Sequence, residues 1–240
     1  MMKALIVAAG KGQRINLTGD VKPKPLYKVF GKHLIEHVIN NFKEAGISDF
    51  YIVVGFMSER IKEALGNGSR YGVKITYLEN PDYEKANGLS VYKAKGILNE
   101  PFILSMSDHL LQPDALQRFV THVQGKMESY LCTDKKISGI SDITDATKVH
   151  EENGKIQKIN KQLQNFNAID CGIFYHTPAF FEALEQAQSQ GDYSITGGVQ
   201  VLADQNKINS YDVGEAKWMD IDTRKELELL EQNFQHFIVS

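Results

Sequence analysis

An α/β fold built on a mostly parallel, Rossmann-like mixed sheet flanked by helices is predicted by three features of the 240-residue sequence. Short apolar runs alternate with amphipathic stretches through the first half, which is the pattern of repeating strand–helix units. The first run breaks at once into a glycine loop. The second half turns richer in strand signals and reads as a smaller β-rich lobe. In sheets of this kind ligands gather at the carboxyl ends of the strands.

Lys3–Ala8 is the first expected strand. Leu5, Ile6 and Val7 are β-formers, and the run is too short for a helix. Gly10 and Gly12 then let the backbone turn sharply and approach a ligand closely. Arg14 adds a permanent forked cation. A strand, a glycine loop and an arginine describe an anion cradle, most simply one for phosphate. The third glycine of a dinucleotide fingerprint is missing, because position 15 is Ile15, and no Gly-Lys-Ser/Thr triplet closes a P-loop. An ordinary tight turn is the alternative for the loop alone. The next segment, Val21-Lys22-Pro23-Lys24-Pro25-Leu26, favours the cradle. Its two prolines stiffen the chain around Lys24 and place an ammonium group reproducibly. Lys22 reads as a solvated charge.

Leu34, Ile35, Val38, Ile39 and Phe42 recur at helical spacing, and Gly46 ends that helix. Phe50–Val54 is predicted as a buried strand, and Ile61, Ala64 and Leu65 as a short helix before Gly66. A strand over Val73–Leu78, a helix over Leu89–Leu98, a strand over Phe102–Met106 and a helix over Pro113–Val123 follow, the last with proline in its first turn. In the second half strands are expected at Tyr130–Thr133, Lys155–Asn160, Ala168–Tyr175 and Ile208–Val213, with a turn at Asn153-Gly154. Pro178–Gln188 reads as helix, and Thr223–Phe237 as an amphipathic helix with Leu227, Leu230 and Phe234 on one face. Asp134 to His150 is polar and reads as an irregular, mobile loop.

Hydrophobic residues at 42% and charged residues at 24% describe a globular chain, and a net charge of −3 argues against nucleic acid as the partner. Cys132 and Cys171 lack metal-ligand spacing, so buried free thiols in a reducing compartment are expected. The opening apolar run of six residues falls short of a signal sequence, which needs about seven, and Lys11 and Arg14 follow it. A cytoplasmic protein is the expectation, with no membrane span; a homodimer is left open. The carboxylate candidates are Asp108, at the end of a strand, and Asp220 and Asp222 in Trp218-Met219-Asp220-Ile221-Asp222-Thr223. Alternation puts the last two on one strand face. A cap or turn role is the alternative for Asp108 and Asp222.

Ala8-Ala9-Gly10-Lys11-Gly12-Gln13-Arg14 followed by Pro23-Lys24-Pro25-Leu26 resembles the signature of the nucleoside triphosphate transferases. That family contains the sugar-phosphate nucleotidyltransferases and the alcohol-phosphate cytidylyltransferases. Asn87-Gly88-Leu89-Ser90, Ser107-Asp108-His109, Asn167-Ala168-Ile169-Asp170-Cys171-Gly172-Ile173-Phe174 and the late Trp-Met-Asp-Ile-Asp-Thr segment carry the resemblance nearly end to end. It implies a GT-A-like nucleotidyltransferase fold in one domain, 1–240. A nucleotide-binding half would span about 1–125, and an acceptor-binding half with the C-terminal helix about 126–240.

The resemblance also implies roles. Ala8, Ala9, Gly10 and Gly12 would line the nucleotide, and the catalytic cations Arg14 and Lys24 would hold its triphosphate, Lys24 near the α-phosphate. Asn87 and Gly88 would pack on the base, with Asn80 at its polar edge. Asp108 and Asp220 would bind Mg2+, with Asp222 contributing to or replacing Asp220. Lys161 would hold the acceptor's phosphate, and Asp170 and Gly172 would line the acceptor. Bland alternatives stand beside these: surface charge for Lys161, a helix cap for Asn87 and a pairing role for Asp170. His109 would touch the acceptor or serve packing or the loop, and Trp218 reads as core.

The segments quoted are most similar to those of CTP:inositol-1-phosphate cytidylyltransferases. This implies CTP and 1L-myo-inositol 1-phosphate as partners, giving CDP-inositol and pyrophosphate. Ser107 stands where many relatives have glycine. Phosphocholine, another alcohol or amine phosphate, or a sugar 1-phosphate are alternative acceptors. The chain ends soon after its last helix and reads as lacking the membrane transferase or β-helix of some relatives. A non-catalytic nucleotide-binding domain would be expected to lose Lys24 or the carboxylates. A nicotinamide oxidoreductase would need the missing glycine and an acidic residue closing a second strand.

Overall fold

The structure, a computed structural model, describes residues 2–16, 21–137 and 143–233. The first half runs through β1 (Lys3–Ala8), the small hairpin of β2 (Lys28–Val29) and β3 (Lys32–His33), α1 (Leu34–Glu44), β4 (Asp49–Val54), α2 (Ser58–Leu65) and β5 (Lys74–Glu79), then α3 (Gly88–Tyr92), β6 (Phe102–Met106), β7 (His109–Leu111) and α4 (Pro113–Val123). The second adds β8 (Ser129–Asp134), β9 (Lys148–Glu152), β10 (Lys155–Asn160), β11 (Ala168–His176), α5 (Ala179–Ser189), α6 (Ile195–Asp204), β12 (Ile208–Asp212), β13 (Trp218–Asp220) and α7 (Arg224–Asn233).

Among the described residues nine strands form one mixed sheet in the order β5-β4-β1-β6-β11-β8-β12-β10-β9. The first four run parallel, as their helical connections require. Pairing turns antiparallel where β11 joins β6, and the ladder continues without a break into the second half. Alternating side chains of β1 enter two cores. Ala4, Ile6 and Ala8 pack with α1 and α4, while Leu5 and Val7 pack with α3, α5 and α6. Burial on both faces is why the run is continuously apolar rather than alternating. No helix among the described residues is long and apolar enough to cross a membrane. Cys132 and Cys171 are buried free thiols, and burial pushes both pKa values up.

Several expectations are corrected. The helix expected over Leu89–Leu98 stops at Tyr92; turns carry the chain to Gly96, which has a φ of +79°. Helix α6 was not expected, because Gly197 and Gly198 sit in its first turn. Close packing demands both: an added Cβ would lie 2.5 Å from the Asp192 carboxylate at Gly197 and 2.7 Å from Leu184 at Gly198. The stretch expected to be irregular to His150 contains the start of β9, which pairs with β10 and β11. Only part of that stretch, 138–142, lies outside the described residues, as does Phe234, which was expected on the face of the last helix.

Candidate active site

The glycine loop leaves the carboxyl end of β1 and is fastened by Asn16. Its side-chain amide donates to the carbonyls of Lys11, Gly12 and Lys22 at 3.0, 3.1 and 2.9 Å, and its Oδ1 accepts from Tyr27 Oη at 2.7 Å. Lys22 lies over the Tyr27 ring at 4.2 Å. Gly12 has a φ of +57°, and a Cβ there would stand 2.6 Å from Cβ of Lys24. Glycine is therefore what lets the loop and the Lys24 turn come together.

Lys24 is buried, and three carboxylates surround its ammonium group. Nζ lies 2.5 Å from Asp108 Oδ2, contacts Asp222 Oδ1 and is 4.0 Å from Asp220 Oδ1. Burial alone would lower its pKa; the carboxylates more than offset this, so the pKa is raised and Lys24 stays charged. Burial alone would raise the pKa of Asp108, but Lys24 and His109 hold it well below the usual carboxylate range. Asp220 is pushed up to about 7 by burial, with Asp108 and Asp222 adding repulsion.

Two short strands bring these distant residues together. β13 pairs with β7 so that Asp220 lies opposite His109, and Ile221 N–H donates to the Asp108 carbonyl at 3.1 Å. His109 Nδ1 donates to Asp108 Oδ1 at 2.7 Å and lies 3.7 Å from Asp220 Oδ1. Against the lowering effect of burial, Asp220, Asp108 and Asp170 push the His109 pKa up to about 9. Asp222 does not continue the strand face expected for it, because β13 ends at Asp220. The turn into α7 carries Asp222 instead. Glu226 Oε2 accepts from the backbone N–H of Asp222 and Thr223 at 2.6 and 2.7 Å, and Thr223 Oγ1 accepts from Glu226 N–H at 3.4 Å. Thr223, not Asp222, caps the helix, in a capping box.

Potential ligand atoms of Asp108, His109 and Asp220 all lie within 4.8 Å of one another. Asp220 Oδ1 is covered yet has no hydrogen-bond partner among the described residues. A covered carboxylate oxygen facing two further carboxylates fits a hard divalent cation held by oxygen. The imidazole, already donating to Asp108, fits the role of orienting that ligand.

On the other side of the cleft a bulge in β11 between Asp170 and Phe174 shapes the wall. Asp170 Oδ1 accepts from Gly172 N–H at 2.7 Å, and burial raises its pKa to about 6. Trp218, expected in the core, is a half-buried wall of the cleft. Its Nε1 donates to Asp134 Oδ2 at 2.8 Å, and its ring lies parallel to that of His109. Lys161 reaches Asp145 at 2.7 Å, and Asp145 also takes Arg14 at 2.7 Å; the other arm of Arg14 meets Asp222.

The cleft has two chambers. One, of about 690 Å³, is lined by Ala8, Gly10, Gly12, Lys24, Ser107 and Asp108. The other, of about 640 Å³, is lined by Lys161, Asp170, Gly172, Trp218, Met219 and Asp220. Arg14, Asn87, Met106 and Asp222 line both.

Four expected nucleotide residues make contacts within the protein itself. Ala9 is buried, and its carbonyl accepts from Phe56 N–H at 2.9 Å. Asn80 is buried, donating to Ser90 Oγ at 2.9 Å and accepting from Asp82 N–H at 3.1 Å. Gly88 makes room for the Tyr193 carbonyl, which would be 2.5 Å from an added Cβ. Asn87 does not cap its own helix; its Oδ1 accepts from Ile195 N–H at 2.9 Å, at the start of α6. Asn16 and Asp145 stand in no motif, so the sequence alone does not reveal them.

The two chambers meet at a rim of cations and carboxylates that includes Arg14 and Asp222. The chain belongs to the nucleotidyl transferase family, whose sequence profile, described as Nucleotidyl transferase, matches residues 3–235. It is 30% identical over 230 residues, 95% of its length, to a bifunctional IPC transferase and DIPP synthase of Rubrobacter xylanophilus, and 32% identical over 225 residues, 94% of its length, to a protein of the same name from Aquifex aeolicus. It covers 51% and 50% of those two proteins, so the chain spans about half the length of the curated relatives it matches. The inositol-1-phosphate CTP transferase of T. maritima superposes with a TM-score of 0.84 at 25% identity, over 100% of this chain and 98% of that one. A putative glucose-1-phosphate thymidylyltransferase of Bacillus anthracis, at 19% identity and a TM-score of 0.84 over 97% of this chain and 94% of that one, shares the fold.

Proposed function

We propose that this chain transfers the cytidylyl group of CTP to inositol 1-phosphate, releasing CDP-inositol and pyrophosphate. A phosphate oxygen of the acceptor forms a bond to the α-phosphorus. The bond from that phosphorus to the oxygen bridging to the β-phosphate breaks, and pyrophosphate leaves with the electron pair. The attacking oxygen is already anionic and needs no general base. The barrier is electrostatic, and positioned cations and backbone donors lower it.

The first half, about 1–125, would hold the nucleotide, and the second, about 126–240, the acceptor. Gly10 and Gly12 expose backbone to the phosphates. Lys24 and Arg14 hold the triphosphate, exchanging carboxylate partners for phosphate oxygens. Lys161 holds the acceptor phosphate, and Asp170 accepts a hydroxyl of the inositol ring. Asp108 and Asp220, with Asp222, hold magnesium, and His109 orients Asp108. Magnesium bound there supplies the positive charge that lets two polyanions meet.

The observation that carries this proposal is the shared rim: each chamber suits one phosphorylated substrate, and Arg14 and Asp222 belong to both. The likeness to the T. maritima enzyme and to IPC transferases supports inositol 1-phosphate as acceptor. The Trp218 face, with Asp170 and Asp220 lining the same chamber, also suits a quaternary ammonium, which makes phosphocholine the second acceptor to try.

Pyrophosphate release with magnesium, for CTP, UTP, ATP, GTP and dTTP against inositol 1-phosphate, phosphocholine and glucose 1-phosphate, tests the proposal. CTP with inositol 1-phosphate is the expected pair. A faster rate with another pair reassigns the substrate and keeps the mechanism. Lys24→Ala and Asp108→Ala should each lower kcat/KM by about 10²–10³-fold with the circular dichroism unchanged. Near-normal turnover in either would remove that residue from the site.

A further inference from the structure

Asp134 is a buried carboxylate bonded to two residues that line the chamber assigned to the acceptor, Lys136 and Trp218. It closes β8, where it stands opposite Ile169 of β11, one residue before Asp170. Both of its oxygens are taken. Oδ1 accepts from the backbone N–H of Lys136 at 2.7 Å and from Lys136 Nζ at 2.9 Å, and Oδ2 accepts from Trp218 Nε1 at 2.8 Å. Lys136 Nζ also donates to the Gly214 carbonyl and, at 3.4 Å, to that of Ala216, so the same node fastens the segment leading into β13. The backbone of Trp218 is placed separately. Gln112 N–H donates to the Lys217 carbonyl at 3.0 Å, and Trp218 pairs with Leu111. Strand pairing fixes the start of the side chain but not the direction of its half-buried ring. An ion pair whose cation is 38% exposed adds little to stability. A fixed carboxylate does give the indole N–H one direction.

We propose that Asp134 is a positioning residue of the acceptor chamber: by holding the indole N–H it fixes the Trp218 ring as the wall against which the ring of a cyclic polyol phosphate packs. The proposal rests on the reading that this chamber takes the acceptor. A cyclitol carries C–H groups on the faces of its ring, which pack on an aromatic wall, while its hydroxyls take polar groups such as Asp170. An indole already held by a charge-assisted bond has little freedom left to lose when the acceptor arrives. Without that bond the ring is ordered anew at each binding event. The cost then falls on acceptor affinity rather than on the chemical step. Neither Trp218 nor Lys136 lines the nucleotide chamber, so binding of CTP is left as it was.

Trp218 is the only tryptophan of the 240-residue chain, so its fluorescence reports on this chamber directly. With magnesium and the non-hydrolysable α,β-methylene analogue of CTP present throughout, added inositol 1-phosphate should change the wild-type emission saturably. Asp134→Asn removes the charge and leaves an amide facing one of the donors. Its emission should lie to the red of wild type before any acceptor is added, because a released indole meets more water. In turnover its KM for inositol 1-phosphate should rise about 10-fold, the worth of one hydrogen bond to a charged group, with kcat and the KM for CTP unchanged. Trp218→Phe, which leaves the Asp134–Lys136 pair intact, should raise the same KM by a similar factor. On that background Asp134→Asn should add nothing further, because its effect passes through Trp218. An Asp134→Asn effect of equal size in both backgrounds overturns the proposal, as does an unchanged KM for inositol 1-phosphate in either single variant. Wild-type emission and turnover that respond to none of inositol 1-phosphate, phosphocholine and glucose 1-phosphate would refute the assignment of the chamber itself, and the proposal falls with it.

Discussion

Gly172 has a φ of +71°, and an added Cβ would lie 2.2 Å from Cδ2 of His109. The hydrogen in that place is what allows the imidazole to face Asp108. Gly172→Ala would push His109 aside and leave Asp108 without its 2.7 Å donor. Loss of such an orienting partner typically costs about 10- to 100-fold in metal affinity or activity. Pyrophosphate release and a magnesium titration should show a loss of this size; unchanged values would mean that His109 does not orient Asp108. Residues of this kind differ in how far the sequence exposes them. Lys24, Asp108, Asp220 and Arg14 stand in motifs whose chemistry is local. Asp145 stands in none, and its partner Arg14 is 131 residues away. Asn80, though named, turns both polar atoms to the protein.

The turn into α7 shows how an element aims a side chain. The capping box of Thr223 and Glu226 fixes the backbone of Asp222 and so the carboxylate that meets Lys24 and Arg14. Glu226→Ala should destabilise the chain by about 1 kcal/mol, the usual worth of a cap. It should also lower turnover, because Asp222 loses its backbone anchor; Glu226→Gln should retain part of both. Urea denaturation with the pyrophosphate assay would detect this, and a variant with reduced stability but full turnover would separate the cap from the site. Elements with strong periodicity, such as α1 and α4, were legible in the sequence. α6 was hidden by two glycines that close packing requires, and β9 by a sequence, Lys-Val-His-Glu-Glu, with a single buried apolar residue. β7 and β13 are each three residues long, too short for any pattern, yet they bring Asp108 and Asp220 together.

For the whole molecule, acid stability depends on a residue far along the sheet from the cleft. His176 is fully buried, accepts or donates through Nδ1 to Ser129 Oγ at 3.0 Å, and stacks on Phe180 at 3.6 Å. Its Nε2 has no partner among the described residues, and burial lowers its pKa from 6.5 to about 3. Between these values the unfolded chain binds a proton that the folded chain refuses. Stability therefore falls as pH drops from about 6.5 toward 3, by at most on the order of 5 kcal/mol from this group, and is unaffected above that window. In His176→Phe, urea midpoints measured from pH 8 to 4.5 should decline less steeply than in the wild type. Parallel slopes would show that His176 contributes nothing to the acid limb.

The unbroken pairing of β6 with β11 has a consequence for how the protein can diversify. Ser105 lies opposite Ile173 in that ladder, so the strand that leads to Asp108 and the strand that carries Asp170 are locked in register. A slip of one residue would turn every side chain of β11 to the opposite face. Insertions and deletions are thus barred from this seam and confined to the connecting segments, while single replacements at Trp218, Met219 or Asp170 leave the seam untouched. Changes in the wall around Trp218, Met219 and Asp170 therefore alter that chamber on a fixed frame, without moving the strand that leads to Asp108.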